Sequence, residues 1–326
     1  MLLYIGIDEA GYGPMLGPLC VGVAALRIER WAPGDDGGGA PDVWERLRTA
    51  VCRSPRDARG RLAVADSKKL CKPLAQGPGR LAEAERSVLA FLHAMNGRWP
   101  GTDLELFEAL GMDPSDLPWY AGPAVPLPGH ADAAGLPIAA NLLRQSLSAA
   151  GVSVGLLRVA RVDESRFNAL VGGGASKAET TLAAIADVAP LMLAWMDGYK
   201  NAHARLVLDR QGGRTRYEAD LSRVLGRPVR TLAESVRAST YELVDRPTAR
   251  VRVQTAAEAD HLPVALASML AKLAREMSMA RFNAYWSQRR PEVKPTAGYA
   301  ADARRWLADM GPSLSAEERG TLVRRV

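Results

Sequence analysis

Two adjacent carboxylates near the start of the chain are the residues best suited to do chemistry. Asp8 and Glu9 follow the apolar run Leu2 to Ile7, which predicts a strand that is covered on both faces. A regular strand points neighbouring side chains to opposite faces, and an unpaired buried carboxylate is strongly disfavoured. If the strand ends or bulges at Glu9, both groups can turn toward one hard divalent cation. The simpler interpretation is a strand end whose acids are solvated.

A third acid, Asp209, ends the apolar run that begins at Ala204, and this run predicts another buried strand. If that strand lies beside the first one, the carboxylate at its end converges on Asp8 and Glu9. Oxygen ligands of this kind suit a hard divalent cation. The acid at the end of this strand would then be available to the same cation.

Composition and charge limit the class of protein. The chain has 326 residues, 48% hydrophobic and 24% charged, which is enough apolar material for one large domain or two smaller ones. A formal charge of +6 permits a polyanionic partner. Three cysteines without a CxxC pair predict a reduced intracellular protein, and we expect it in the cytoplasm. The N-terminal apolar segment is interrupted by acids, so we expect no signal peptide and no membrane span.

The elements that must position the acids are read from hydrophobic periodicity. Leu19 to Ile28 predicts a strand that pairs with the first, and residues 33–42 predict a loop. Ser176 and Glu179 predict a capping box, and the helix that follows ends near Gly198. Further strands are predicted at 154–162, 204–209, 228–232, 240–245 and 250–255, the last two joined by a turn around Pro247.

Five motifs, in order, resemble those of type 2 ribonucleases H, the ribonuclease HII/HIII group. IDEAGYGPMLGPL at residues 7–19 resembles the first, and ADSKKL at 65–70 resembles the second. Asp209 resembles the third, although Arg210 follows it where the family has glycine. Asp260 with the helix ALASMLAKLARE resembles the fourth, and PTAGYAADARRWL at 295–307 the fifth. The matches extend from the first residues to just short of residue 310, with unmatched inserts between them.

The resemblance implies an α/β, ribonuclease H-like fold, in which a mixed central sheet is flanked by helices and followed by a helical C-terminal extension. On this basis, residues 1–96 and 156–288 form the catalytic domain. Residues 97–155 are an insertion of unknown role, and residues 289–326 are an extension that contacts substrate.

The resemblance also implies a metal-binding catalytic set of Asp8, Glu9, Asp209 and Asp260. Two Mg²⁺ or Mn²⁺ ions, about 3.5 to 4 Å apart, would activate a water and stabilise the departing oxygen. In this hypothesis Asp8 and Asp209 share the principal ion, and Glu9 and Asp260 complete the second site. The implied activity is endonucleolytic cleavage of RNA in RNA/DNA hybrids, leaving 5′-phosphate and 3′-hydroxyl ends. The implied protein is a monomer that binds a hybrid duplex and needs no organic cofactor.

The implied substrate contacts come from the same motifs. The backbone of the glycine triplet would read the ribose 2′-hydroxyl, the ADSKKL loop and the fourth-motif helix would lie near phosphates, and a tyrosine would stack on the sugar at the scissile junction. Taken alone, each feature has a simpler structural reading: a solvated loop, a solvated helix side or ordinary packing. These candidate substrate-binding residues are Gly11, Tyr12, Gly13, Ser67, Lys68, Ser268, Lys272 and Tyr299, with a basic rim of Arg289, Arg290, Lys294, Arg304 and Arg305.

Two departures from the family pattern leave alternatives open. Tyr12 occupies the middle of the glycine triplet, where ribonuclease HII most often has arginine, so cleavage at single embedded ribonucleotides is in question. Arg210 predicts a changed turn with its side chain toward solvent or phosphate. One alternative is a catalytically silent nucleic-acid-binding paralogue. The other is a metal nuclease of the same fold that acts on a different nucleic acid, such as structured DNA.

Overall fold

The computed structural model describes residues 1–34, 40–70, 81–210 and 214–325, apart from the side chains of Asp57 and Lys69. Residues 35–39 of the loop expected at 33–42 and the third cysteine, Cys71, lie outside the described residues. The other two cysteines, Cys20 and Cys52, are buried.

A seven-stranded mixed sheet forms the centre of the molecule, in the order β5-β2-β1-β6-β9-β8-β7. The pair β1–β6 and the pair β6–β9 are parallel, and the remaining neighbours are antiparallel. The strands are β1 Leu2–Ala10, β2 Leu19–Ile28, β5 Val152–Val162, β6 His203–Asp209, β7 Val229–Glu234, β8 Ala238–Leu243 and β9 Arg246–Gln254, with a separate parallel pair of β3 Val51–Cys52 and β4 Leu62–Ala63.

Helices flank this sheet, which confirms the predicted α/β class, and the helical C-terminal region is also confirmed. The predicted turn around Pro247 is wrong by a few residues, because the chain turns at 244–245 and Pro247 lies inside β9. The helices are α1 Val43–Arg46, α2 Ser67–Leu70, α3 Leu81–Asn96, α4 Asp103–Ala109, α5 Leu136–Ala150, α6 Glu164–Gly172, α7 Lys177–Asp197, α8 Glu218–Leu225, α9 Ala257–Asp260, α10 Leu262–Arg289, α11 Ala300–Met310 and α12 Ala316–Leu322.

Alternating side chains of β1 divide the core between the two faces of the sheet. Leu2 and Tyr4 pack with α3, α5 and α10, whereas Leu3 and Ile5 pack with α7 and α8. The helix α7 begins at the predicted capping box of Ser176 and Glu179. By length and composition it is apolar enough to cross a membrane, but more than half of its apolar window is buried inside the protein.

The long helix α10 lies unusually close to the first two strands because glycines face it. A Cβ atom at Gly6 would come within 2.1 Å of the Pro263 carbonyl carbon, and one at Gly22 within 2.1 Å of the Ala267 oxygen. Only glycine permits this approach. The close packing fixes the fourth-motif side chains of α10 next to the end of β1.

Residues 97–155 share a core with the rest of the chain. Leu106 of α4 and Leu143 of α5 belong to the same buried cluster as Leu2 of β1. The segment also includes the start of β5, which begins at Val152, two residues before the predicted start. The predicted boundary at residue 155 therefore falls inside a strand of the central sheet.

A third cluster joins this segment to the C-terminal helices. Trp119, in a 3₁₀ turn at Pro118–Tyr120, packs against Phe282 and Trp286 of α10. A buried ion pair joins Arg281 Nη1 to Asp103 Oδ2 at 2.7 Å. The segment at 97–155 thus braces α10 from the side.

Candidate active site

The carboxylate pair lies at the end of β1, within its pairing with β2. The predicted end or bulge at Glu9 is wrong, because the antiparallel ladder continues in register through Asp8, Glu9 and Ala10. The parallel ladder with β6, in contrast, stops at Ile7, opposite Leu208. The two acids therefore extend past the last paired residues of β6, and this leaves space beside them.

Asp209 ends β6, in the position next to this space. Its Oδ1 accepts a hydrogen bond from the Ala257 amide at 3.0 Å, which fixes the carboxylate against the start of α9. The charge of Asp209 raises the pKa of both Asp8 and Glu9. The structure thus brings together three of the four predicted carboxylates.

Burial dominates the electrostatics of this group. Burial raises the pKa of Asp8 well above its usual value, and the charges of Glu9 and Asp209 raise it further, whereas a hydrogen bond with Ser268 opposes the shift. Burial and the charge of Asp209 raise the pKa of Glu9 to about 7, against the opposing charge of Lys68. Clustered buried acids with raised pKa values are stabilised by a cation.

Glu258 on α9 joins this group, although the sequence analysis did not select it. Burial and the charge of Asp209 raise its pKa, and its own charge in turn raises the pKa of Glu9. Its Oε2 atom is buried and has no hydrogen-bond partner in the described chain. The sequence feature that could have pointed to Glu258 is its position two residues before Asp260, in the same tetrapeptide AEAD.

Asp260, the predicted fourth ligand, is placed differently. Its side chain is exposed, and its Oδ2 accepts a hydrogen bond from Gln254 Nε2 at 3.1 Å. Its charge raises the pKa of Tyr4, as burial also does. It raises the pKa of His261 too, although there burial has the larger effect and lowers the pKa. Asp260 therefore lies beside the group formed by Asp8, Glu9 and Asp209. Glu258, in contrast, interacts electrostatically with that group.

The ADSKKL loop contributes a buried hydroxyl and an exposed ammonium. Ser67 is buried, and its hydroxyl lies 2.9 Å from the Ser268 hydroxyl, which bonds to Asp8. Ser67, predicted to contact phosphate, and Ser268, predicted to bind substrate, instead form a chain of hydroxyls that supports Asp8. Lys68 is exposed, and although burial lowers its pKa, the charges of nearby acids, including Asp8 and Glu258, raise it above its usual value.

The polar strip of α10 is buried, which corrects its predicted contact with solvent or substrate. Lys272 Nζ lies 2.5 Å from Glu276 Oε1, and Arg275 Nη2 donates to the Ala297 carbonyl at 3.0 Å. Both cations lie under the ring of Tyr299, at 5.9 and 5.4 Å from its centroid. Tyr299 itself is 40% exposed, so its outer face is accessible for stacking.

The glycine triplet forms a tight loop after β1. Gly11 has a φ of +91°, and a Cβ atom there would come within 2.5 Å of the Pro18 oxygen, so only glycine fits. The Gly11 and Tyr12 carbonyls accept hydrogen bonds from Arg324, a buried residue that the sequence analysis did not select. Nothing lies within 4 Å of a Cβ atom built on Gly13, so the loop is open at its tip.

The other predicted cations are mostly engaged within the protein. The guanidinium of Arg210 donates to the carbonyls of Ser235 and Val236, so it ties the end of β6 to the β7–β8 connection instead of facing solvent or phosphate. In the basic rim, three arginines have acidic partners: Arg289 pairs with Glu318, Arg290 with Glu292 and Arg305 with Asp302. Arg289 is exposed despite its partner, and Lys294 and Arg304 are exposed as well.

The donor set fits a hard divalent cation. Asp8, Glu9, Asp209 and Glu258 offer only carboxylate oxygens, which such ions prefer, and the orphaned Oε2 of Glu258 lacks any other partner in the described residues. No three acidic, histidine or cysteine side chains in the described ranges already stand in a metal-ligating arrangement.

A second buried carboxylate holds the far side of the glycine loop. Glu164, at the start of α6, accepts hydrogen bonds from the Gly17 amide at 3.1 Å and from the Tyr120 hydroxyl at 2.9 Å. Burial raises the pKa of Glu164 to about 7. This group links residues 97–155 to the loop that carries the first motif.

We expect Glu164 to make the wild-type protein less stable as pH rises from about 4.5 to 7. The unfolded chain releases this proton near 4.5 and the folded chain near 7, so between these values the folded state binds more protons. The loss amounts to about 3 kcal/mol and is complete above pH 7. Urea unfolding of wild type and Glu164→Gln at pH 5 and pH 8 measures it. An identical stability difference at both pH values would contradict the assignment.

Comparisons with known proteins identify a distant likeness. No protein-family model and no curated protein matches the chain. Three solved structures align with 99% of it: the PCNA:RNase HII complex from Archaeoglobus fulgidus (17% identity, 93% of that chain, TM-score 0.49), ribonuclease H2 from Pyrococcus horikoshii OT3 (16%, 92%, 0.43) and Bst-RNase HIII in complex with Mn²⁺ (16%, 66%, 0.47). These values describe a likeness of overall shape, and the activities of those proteins are not transferred from it.

Proposed function

We propose that this protein is a type 2 ribonuclease H that hydrolyses the RNA strand of RNA/DNA hybrids with Mg²⁺ or Mn²⁺, leaving 5′-phosphate and 3′-hydroxyl ends. The observation that carries the proposal is the meeting of Asp8, Glu9 and Asp209 at the ends of two neighbouring parallel strands, with Glu258 beside them. The five ordered motifs support the same assignment.

We propose that Asp8, Glu9, Asp209 and Glu258 hold the metal. A bound divalent ion would lower the pKa of a water and stabilise the charge of the departing oxygen. The side chains of this chain do the positioning. The Ser67–Ser268 pair orients Asp8, and the Ala257 amide orients Asp209. Lys68 supplies a positive charge next to the acids and is exposed to a phosphate.

The substrate in this proposal lies across the strand ends, between the glycine loop and Tyr299. The exposed face of Tyr299 suits stacking on a sugar or base, and the buried cations beneath the ring help to hold it in place. The open tip at Gly13 permits close approach of a ribose to the backbone.

Cleavage of matched duplexes tests the proposal directly. RNA/DNA, all-DNA and all-RNA duplexes would be incubated side by side in Mg²⁺ and in Mn²⁺. We expect metal-dependent cutting of the hybrid only. Binding of the hybrid without cutting in either metal would overturn the proposed activity and favour a nucleic-acid-binding protein.

Tyr12 leads to a specificity prediction. A tyrosine cannot form the charge-assisted phosphate contact of an arginine, and the loss of such a bond costs about 1.5–3 kcal/mol. We therefore expect a duplex with a single embedded ribonucleotide to be cut about ten- to a hundredfold more slowly than a continuous hybrid. Initial rates on the two duplexes measure this.

The variant Tyr12→Arg provides the matched comparison for this prediction. It should raise the rate on the single-ribonucleotide duplex and leave the rate on the continuous hybrid nearly unchanged. Equal wild-type rates on the two duplexes would contradict the role of Tyr12.

A further inference from the structure

One guanidinium holds two consecutive carbonyls of the glycine loop. Arg324 Nη1 donates to the Gly11 carbonyl at 2.5 Å, and its Nη2 donates to the Tyr12 carbonyl at 3.2 Å. Arg324 follows α12, and 313 sequence positions separate it from Gly11. The planar fork of arginine suits this double contact, which a lysine ammonium cannot reproduce.

Because the peptide bond is planar, the direction of each of these carbonyls fixes the direction of the amide N–H that follows it. In a trans peptide the N–H points opposite to the carbonyl that precedes it. When the Gly11 and Tyr12 carbonyls point inward to Arg324, the Tyr12 and Gly13 amides point outward. In the described chain neither amide donates to another backbone group, and the space at Gly13 is open. Two adjacent donors therefore face the solvent at the tip of the loop.

Arg324 is itself firmly held. Its guanidinium lies 3.9 Å from the ring centroid of Phe167, and its amide donates to the Met15 carbonyl at 2.9 Å. Asn168 fixes the neighbouring backbone by donating to the Val323 carbonyl and accepting from the Arg325 amide. The loop and the segment at 320–325 therefore form one unit.

Burying this charge is costly. Arg324 is only 2% exposed, and its guanidinium donates hydrogen bonds to two carbonyls. Burial and the neighbouring charge of Arg275 lower its pKa to about 10. The main contacts of this buried cation are two carbonyls of the glycine loop, so we infer that its role is to orient that loop.

We propose that Arg324 is a positioning residue for ribose recognition: by holding the Gly11 and Tyr12 carbonyls, it presents the Tyr12 and Gly13 amides to the 2′-hydroxyl oxygen of the substrate. This proposal rests on the proposed function for its ligand. The C-terminal segment at 320–325 is then a determinant of sugar specificity, although it lies outside all five motifs.

Amide exchange in the free protein tests the orientation without any activity. Hydrogen exchange of the Tyr12 and Gly13 amides would be measured by NMR for wild type, Arg324→Lys and Arg324→Ala. We expect the exchange rates of these two amides to change in both variants. Unchanged exchange rates in a folded variant would overturn the proposal, whether or not the protein is a nuclease.

Kinetics on the hybrid, together with binding to hybrid and all-DNA duplexes, test the recognition. We expect Arg324→Lys to lower kcat/KM on the hybrid about ten- to a hundredfold, and to lower the binding preference for the hybrid, measured as the ratio of the Kd values of the all-DNA and hybrid duplexes. Added methylguanidinium should partly restore the preference in Arg324→Ala. A variant with unchanged preference would overturn the proposal.

Arg281→Ala is the matched control, since Arg281 is also a buried arginine that donates to backbone carbonyls, away from the loop. It should lower stability and keep the wild-type sugar preference. A loss of preference in this variant as large as in Arg324→Lys would mean that general destabilisation is responsible, which would overturn the specific role of Arg324. A wild-type protein that cuts no hybrid would refute the proposed function and leave the exchange experiment decisive for the loop.

Discussion

Asp8→Asn should abolish hydrolysis of the hybrid and at the same time stabilise the folded chain. The activity should fall by at least about 10³-fold, because the change removes the charge of a proposed metal ligand. Stability should rise because Asp8 is buried next to the charges of Glu9 and Asp209, which raise its pKa well above the usual value. Asparagine keeps an oxygen that can accept the hydrogen bond of Ser268.

Two measurements on the same preparation separate these effects. Single-turnover cleavage in Mn²⁺ reports the activity, and the urea unfolding midpoint at pH 8 without metal reports the stability. In wild type, Mn²⁺ should raise the midpoint, and in Asp8→Asn this increase should become small. Near-wild-type cleavage by Asp8→Asn would exclude Asp8 from the metal site. A lower midpoint would show that the carboxylate has a structural role.

Glu258→Gln should reduce cleavage far more than Asp260→Asn does. Glu258 interacts electrostatically with Glu9 and Asp209 and has a buried oxygen without a hydrogen-bond partner among the described residues, whereas Asp260 is exposed and bonded to Gln254. We expect a loss of about 10²-fold or more for Glu258→Gln and of less than about tenfold for Asp260→Asn.

The two variants are matched controls for each other, since both remove one charge from the same short helix. A titration of activity with Mn²⁺ distinguishes a lost ligand from a distant effect, because loss of a ligand weakens metal binding. If Asp260→Asn causes the larger loss, the fourth ligand is Asp260, as the motif alone implies, and α9 must turn when metal binds.

Local patterns in the sequence predicted much of the fold and three members of the site. Ser176 and Glu179 gave the start of α7 because a capping box is a local interaction. Asp8 and Asp209 were brought together because strand ends in a parallel pair meet at one edge. These inferences need only neighbouring residues or a simple rule of sheet topology.

The missed features depend on contacts between distant parts of the chain. The motif selected Asp260, but the short turn of α9 after Ala256, whose φ is +53°, presents Glu258 to the other acids. Lys272 lies on what periodicity predicts as a solvated helix face, yet the loops around Tyr299 cover it. Hydrophobic periodicity cannot reveal which polar face will be covered by another segment.

The contact between Arg324 and Gly11 has a consequence for synthesis on the ribosome. Elongation at about 5–20 residues per second places roughly 15 to 60 seconds between the appearance of these two residues. β1 also pairs with β6, and in this parallel ladder Leu2 lies opposite His203, 201 positions later in the chain. This side of β1 therefore stays unpaired until β6 has been synthesised. A nascent chain that has not yet reached Arg324 therefore carries the first motif without the contact that orients its loop.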